Sequence, residues 1–106
     1  MILKVDIAHQ GQSSEQALIQ LETEISKAKV TTGVVAVKVV HGLGSGTIAK
    51  TVRDWAKEQE GRFTAVISGE DYNAFNKEAV AMRSKIQGHK DKDFNNRNAG
   101  ITIFWL

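Results

Sequence analysis

Asp6, His9 and His41 have the side chains suited to proton transfer, and Gly42-Leu43-Gly44-Ser45-Gly46 is the stretch suited to holding an anion. Imidazole titrates near neutrality, so it can take a proton and return it, and a carboxylate can act as base beside it. Alternate glycines let backbone approach a ligand closely, and a helix starting beyond them turns unpaired N–H groups toward it. A second candidate lies further on, where Arg83, Lys85, Lys90, Lys92 and Arg97 are opposed only by Asp91 and Asp93. Such a stretch either tracks a phosphate backbone or forms a solvated loop. His89 and Phe94 add a titratable group and a ring able to stack.

The glycine stretch is neither of two better-defined sites. No Gly-Lys-Ser/Thr closes it as in a phosphate-binding P-loop, and it lacks the Gly-x-Gly-x-x-Gly dinucleotide spacing. His9, His41 and His89 have no metal-ligand spacing, and the absence of cysteine excludes thiolate sites and disulfides. No metal site and no organic cofactor is expected, although a divalent metal is compatible with phosphodiester chemistry. The 14 basic and 12 acidic residues give a net charge of +2, too small for a highly cationic nucleic-acid coat.

Four strands and three helices must position these groups. Leu3, Val5 and Ile7 alternate with Lys4 and Asp6, the period of a half-exposed strand. After a turn over His9–Gln12, Ser13 or Ser14 starts a helix to Ala28, with a capping box if Ser13 pairs with Gln16. Ala17, Leu18, Leu21, Ile25 and Ala28 make its apolar stripe. Val34 to Val40 reads as a central strand covered on both faces, interrupted only by Lys38. Lys38 either emerges beside the glycine loop as a phosphate contact or snorkels to an edge. A second helix follows from Thr47 to Glu60, a third strand from Phe63 to Ser68, a third helix from Glu70 to Ile86, and a last strand from Ile101 to Leu106. Trp55, Phe63, Tyr72, Phe75 and Trp105 are expected in the core.

The β-α-β-α-β-α-β order implies an α/β two-layer sandwich, and 106 residues make one domain able to bury its own core. Hydrophobic residues at 42% and charged residues at 25% are those of a soluble globular chain. Charge within four residues of Met1 argues against a signal peptide, and no apolar run is long enough to span a membrane. A cytoplasmic protein with no membrane partner is expected, with no sign of its oligomeric state.

Val37-Lys38-Val39-Val40-His41-Gly42-Leu43-Gly44-Ser45-Gly46-Thr47-Ile48, followed by Val52 and Trp55, resembles the Smr domain, the small MutS-related module. The likeness lies in an apolar strand, a His-Gly-x-Gly loop and a helix with a Val-x-x-Trp-like pair, and Gly100-Ile101-Thr102 looks like the family's closing Gly-x-Thr strand. Beginning at Met1 without an ATPase domain, the chain resembles a stand-alone Smr protein, in which residues 69–97 form a helical and basic insertion. The resemblance implies a four-stranded mixed sheet, as in the C-terminal domain of translation initiation factor three. It also implies action on DNA or RNA, as a nicking or cutting endonuclease with roles such as DNA repair, or as a non-catalytic module binding nucleic acid or the ribosome.

In the family's first motif, Asp-Leu-His-Gly, the Asp and His have been cast as catalytic. Here the nearest text is Asp6-Ile7-Ala8-His9-Gln10-Gly11. An Asp-x-His pair shares one face of a strand, whereas Asp6 and His9, three apart, would face opposite ways unless a bulge at Ala8 re-aims the second. Aligning on Gly11 instead puts Gln10 at the histidine position. The catalytic candidates are then Asp6, His9 and His41, and the phosphate-binding ones Lys38, Gly42, Gly44, Ser45, Gly46, Arg83, Lys90, Lys92 and Arg97.

Overall fold

The computed structural model describes residues 1–8, 11–86 and 90–106. Strand β1 (Ile2–Asp6) leads into helix α1 (Ser14–Lys29), then β2 (Ala36–Val40), α2 (Thr47–Glu58) and β3 (Ala65–Ser68). A single 3-10 turn (Gly69–Asp71), helix α3 (Lys77–Ser84) and β4 (Ile101–Trp105) complete the order. The strands form one mixed sheet in the spatial order β1-β2-β4-β3. β1 runs parallel to β2, and β4 runs antiparallel to both β2 and β3. This is the α/β architecture that the element order implies, with the four-stranded mixed sheet that the family resemblance implies.

Strand alternation sends residues from β2 and β4 to both faces of the sheet. Val37, Val39 and Phe104 pack with Leu21 and Ile25 of α1 and Val52 of α2. Ala36, Ile101 and Ile103 pack on the other face with Tyr72, Ala79 and Met82. Each fully buried side chain of this size contributes roughly 1.5–3 kcal/mol, so both clusters hold the central strands in register. Trp55 and Phe63 flank Phe104 with ring centroids 5.9 and 5.0 Å from it.

Local signals account for the ends of α1. The Ser13 hydroxyl accepts the Gln16 N–H at 3.1 Å and the Gln16 side-chain carbonyl accepts the Ser13 N–H at 2.9 Å, a complete capping box. Ala17, Leu21, Ile25 and Ala28 are its buried stripe.

The third helix is shorter than apolar spacing predicts. Instead of running from Glu70 to Ile86, it starts only at Lys77. Asparagine side chains offer the backbone a competing set of partners. Asn73 Oδ1 accepts the Phe75 N–H at 2.9 Å, and Asn76, the N-cap, accepts the Ala79 N–H at 3.0 Å. Tyr72, Ala79, Met82 and Ile86 still reach the core, but Phe75, expected there, is 96% exposed.

Candidate functional site

The carboxyl end of β2 delivers His41 to the entrance of the glycine loop. The N–H groups of His41 and Gly42 both donate to the Gly100 carbonyl, each at 3.0 Å, which ties the loop to the start of β4. The imidazole is buried, 4% exposed, and both nitrogens are engaged. Nδ1 lies 3.0 Å from the Gly42 carbonyl and Nε2 lies 2.9 Å from Thr102 Oγ1. A carbonyl only accepts, so Nδ1 carries the proton and Nε2 receives the threonine hydroxyl. Thr102 in turn accepts from Arg53 Nε at 3.4 Å, and the Arg53 guanidinium grips Glu70 with two bonds of 3.1 and 2.7 Å. Burial, aided by the Arg53 charge, holds the His41 pKa below its ordinary value, so the ring is neutral at pH 7. Burial would raise the Glu70 pKa, but its bonds to Arg53 outweigh that and keep the carboxylate charged.

This relay of carboxylate, guanidinium, hydroxyl and imidazole joins the 3-10 turn, α2, β4 and β2. Arg53, Glu70 and Thr102 are absent from the candidates read off the sequence. Arg53 is separated by 17 residues from Glu70 and by 49 from Thr102, so local spacing contains no signal of the relay.

Gly42 and Gly46 hold φ of 70° and 85°, the left-handed region that favours glycine. A Cβ on Gly42 would lie 3.5 Å from the Ala8 Cβ, so the loop rests against the chain leaving β1. Gly44 and Ser45 complete the loop, with Ser45 Oγ 2.9 Å from Thr47 Oγ1. Gly46, the N-cap of α2, has no side chain to cap it, the first turn holds no acid, and the Thr47 N–H donates to Ser45 Oγ at 3.4 Å, so the positive end of the helix faces the loop.

Asp6 stands exposed at the end of β1, and its Oδ1 accepts the Ala8 N–H at 2.8 Å. It is therefore brought to the same sheet edge as the glycine loop. His9, the other half of the proposed pair, lies outside the described residues, as does His89.

Lys38 neither emerges at the loop nor snorkels to an edge. Its ammonium is buried on the α3 side of the sheet, 2.5 Å from Asp91 Oδ1 and 2.8 Å from Asp93 Oδ2. Tyr72 donates its hydroxyl to Asp91 at 2.9 Å, and the Asn98 amide donates to Asp93 at 3.0 Å. Burial pushes both carboxyls up, but these hydrogen bonds and the Lys38 charge outweigh it and leave both pKa values below the ordinary range. Asp91 and Asp93 turn in to Lys38, and a 220 Å³ groove is lined by Lys4, Lys38, Arg83, Lys90 and Lys92 with Asp91 as its one carboxylate. A second cavity, of 350 Å³, shares Lys4 and Lys92 with that groove and reaches Gly42 and Gly100. The two make one path from the basic groove to the glycine loop. Arg83 also lies over the Phe94 ring, 5.0 Å from its centroid, and Tyr72 packs edge-on to it, so Phe94 is occupied within the fold. Arg97 stands apart from the groove, beside Phe75.

A model of the Smr domain matches residues 9–106. The chain belongs to the Smr domain family. The solved Smr domain of MutS2 from Thermus thermophilus is similar in fold, with a TM-score of 0.62 at 16% identity, covering 98% of this chain and 96% of that one. A comparison with curated proteins finds no match. In this Smr domain the His-Gly-x-Gly stretch is His41-Gly42-Leu43-Gly44, and its histidine is held by the Thr102 of the closing Gly-x-Thr strand. Among the described residues of this Smr domain no group of three or more His, Asp or Glu could hold a metal ion, and no helix is long and apolar enough to cross a membrane.

Proposed function

We propose that this Smr domain binds nucleic acid, DNA or RNA, through its phosphates. The contact path runs from the glycine loop at the head of α2 along the groove of Lys4, Lys92, Lys90 and Arg83. The excess of cations in this groove carries this reading, because Asp91 and Asp93 are held by Lys38 and fix the backbone on which Lys90 and Lys92 join Lys4 and Arg83. Each neutralised phosphate releases counterions, so binding weakens as salt rises. Gly44 and Ser45 supply N–H groups and the Ser45 hydroxyl for one phosphate, Gly42 and Gly46 shape the loop by donating to the Gly100 and Leu43 carbonyls, and His41 holds it in place. The test is a titration of a labelled single strand across a salt series. Lys90→Ala/Lys92→Ala should flatten the log–log salt slope by about 1–2, and an unchanged slope would sink the assignment.

A second reading, phosphodiester hydrolysis, is favoured by one contact, the approach of Gly42 to Ala8 that joins the end of β1 to the loop. In this reading Asp6 or His9 takes the proton from water as its oxygen bonds to phosphorus, the bond to the leaving sugar oxygen breaks and that oxygen takes a proton from solvent, and loop N–H groups with His41 behind them stabilise the charged phosphorane-like transition state. Cleavage of single-stranded RNA and supercoiled plasmid, each with magnesium, manganese or chelator, tests it. Asp6→Asn and His9→Ala should each abolish cleavage while sparing binding. Cleavage that survives both substitutions refutes this reading.

A further inference from the structure

Phe75 is the most exposed large apolar side chain among the described residues, 96% exposed, although the apolar spacing around it would bury it in a continuous helix. It is not on a loosely held tip. Asn73 Oδ1 accepts the Phe75 N–H and Asn95 Oδ1 accepts the Ala74 N–H, both at 2.9 Å. The Asn76 N–H donates to the Asn73 carbonyl at 3.1 Å, and the Asn95 N–H donates to the Tyr72 carbonyl at 2.8 Å. Four hydrogen bonds therefore shape a turn that presents a bare aromatic ring to water, an arrangement that costs apolar exposure and gains no packing. Asn95 and Arg97 both adopt positive φ, 70° and 50°, a region that asparagine enters readily and arginine seldom does, and the segment they form brings Arg97 to the same 570 Å³ cavity as Phe75.

We infer that Phe75 is a stacking platform for an unpaired nucleobase, with Arg97 taking the phosphate beside it. The ring offers a flat face that any base can cover, and the guanidinium supplies the charge-assisted contact that a neighbouring phosphate requires. Glu70 and Asp71 line the same cavity; Glu70 is paired with Arg53 by two hydrogen bonds, and the Asp71 charge leaves the Arg97 side as the one a phosphate can take. The platform lies on the sheet face that carries the basic groove. Tyr72 links the two, because its carbonyl anchors Asn95 while its hydroxyl meets Arg83 and Asp91 of the groove. A strand leaving the groove can place a base on Phe75, whereas a duplex keeps its bases stacked and out of reach. The platform therefore selects single strands.

This inference rests on the nucleic-acid reading above, and the experiment separates the two. A single-stranded RNA carrying 2-aminopurine and a duplex of the same length are titrated with the natural chain, Phe75→Ala, Phe75→Trp and Lys90→Ala/Lys92→Ala. Phe75→Ala should weaken single-strand binding by about 5- to 100-fold, the range for losing one stacked base. It should leave duplex affinity and the salt slope unchanged, and abolish the quenching of 2-aminopurine. Phe75→Trp should retain both affinity and quenching. Because Phe75 is solvent-exposed, an unchanged melting temperature confirms that the alanine variant is folded. Equal single-strand affinity for the natural chain and Phe75→Ala, alongside weakened binding by the double lysine variant, overturns the platform and leaves the groove standing. Absence of binding by the natural chain overturns both.

Discussion

Replacing Lys38 with Met would remove the one cation that both Asp91 and Asp93 contact, without changing the volume of the site much. Their side chains are only 8% and 10% exposed, so the variant leaves two carboxylates desolvated without their counter-charge. Breaking a buried pair in this way costs about 3–5 kcal/mol. At roughly 4 °C per kcal/mol for a domain of this size, the melting temperature should fall by about 12–20 °C at pH 7. Acid should narrow the gap, and the sign follows from the pKa directions. In the natural chain both carboxyls titrate below their ordinary range, so their stabilisation is present above about pH 4 and is lost as pH falls through the folded values. In Lys38→Met the upward push of burial is opposed only by hydrogen bonds and, at Asp93, by the Lys92 charge, so the carboxyls protonate at higher pH and acid relieves the penalty. Lys38→Met/Asp91→Asn/Asp93→Asn, which removes the charges together, should recover most of the loss. Urea unfolding of all three chains at pH 7 and pH 4 measures this. A loss under about 1 kcal/mol, or the same gap at both pH values, would refute the account of Lys38 as the anchor of the basic loop.

Gly69→Ala should destabilise by about 3 kcal/mol or more, because its Cβ would lie 1.8 Å from the Asn98 carbonyl oxygen and 2.5 Å from Ile101 Cγ1; a denaturant midpoint close to that of the natural chain would contradict this. Phe104→Ala, at a fully buried site between Trp55 and Phe63, should cost about 3–5 kcal/mol by thermal or urea melting. The lowered His41 pKa makes the fold bind fewer protons than the unfolded chain, so its contribution is intact above about pH 6.5 and declines as pH falls through the folded value. Stability should therefore rise more steeply between pH 5 and 7 in the natural chain than in His41→Gln, and parallel curves would show that the ring is not held neutral.

Much of the fold is legible where a few neighbouring residues decide it. Ser13 and Gln16 announce the start of α1, and the β-branched run before His41 announces a strand buried on both sides. The third helix is misread because apolar spacing reports which residues face the core, while Asn73 and Asn76 decide where helical hydrogen bonding can begin. The site is legible at His41 and the glycines, whose meaning is local. Lys38 is not, since its partners lie 53 and 55 residues away and a lysine in an apolar run shows only that it needs a partner. The same distance hides Arg53, which lies next to Val52 in a helix and gives no local sign that its guanidinium turns to Glu70.

The position of β4 governs when this domain can exist at all. β4, made after the other three strands of the sheet, lies between β2 and β3 and is hydrogen-bonded to both. During synthesis β1 and β2 can pair early, but β3 has no neighbour until residues 101–105 have left the ribosome. The same late strand brings Thr102 to His41, and the Gly100 carbonyl just ahead of it receives the two loop N–H groups. A nascent chain therefore carries an open sheet and an unheld glycine loop, and the loop and the core are completed by the same strand. Such dependence on distant partners slows folding relative to helical domains of equal length, and it prevents a half-made chain from presenting a finished site.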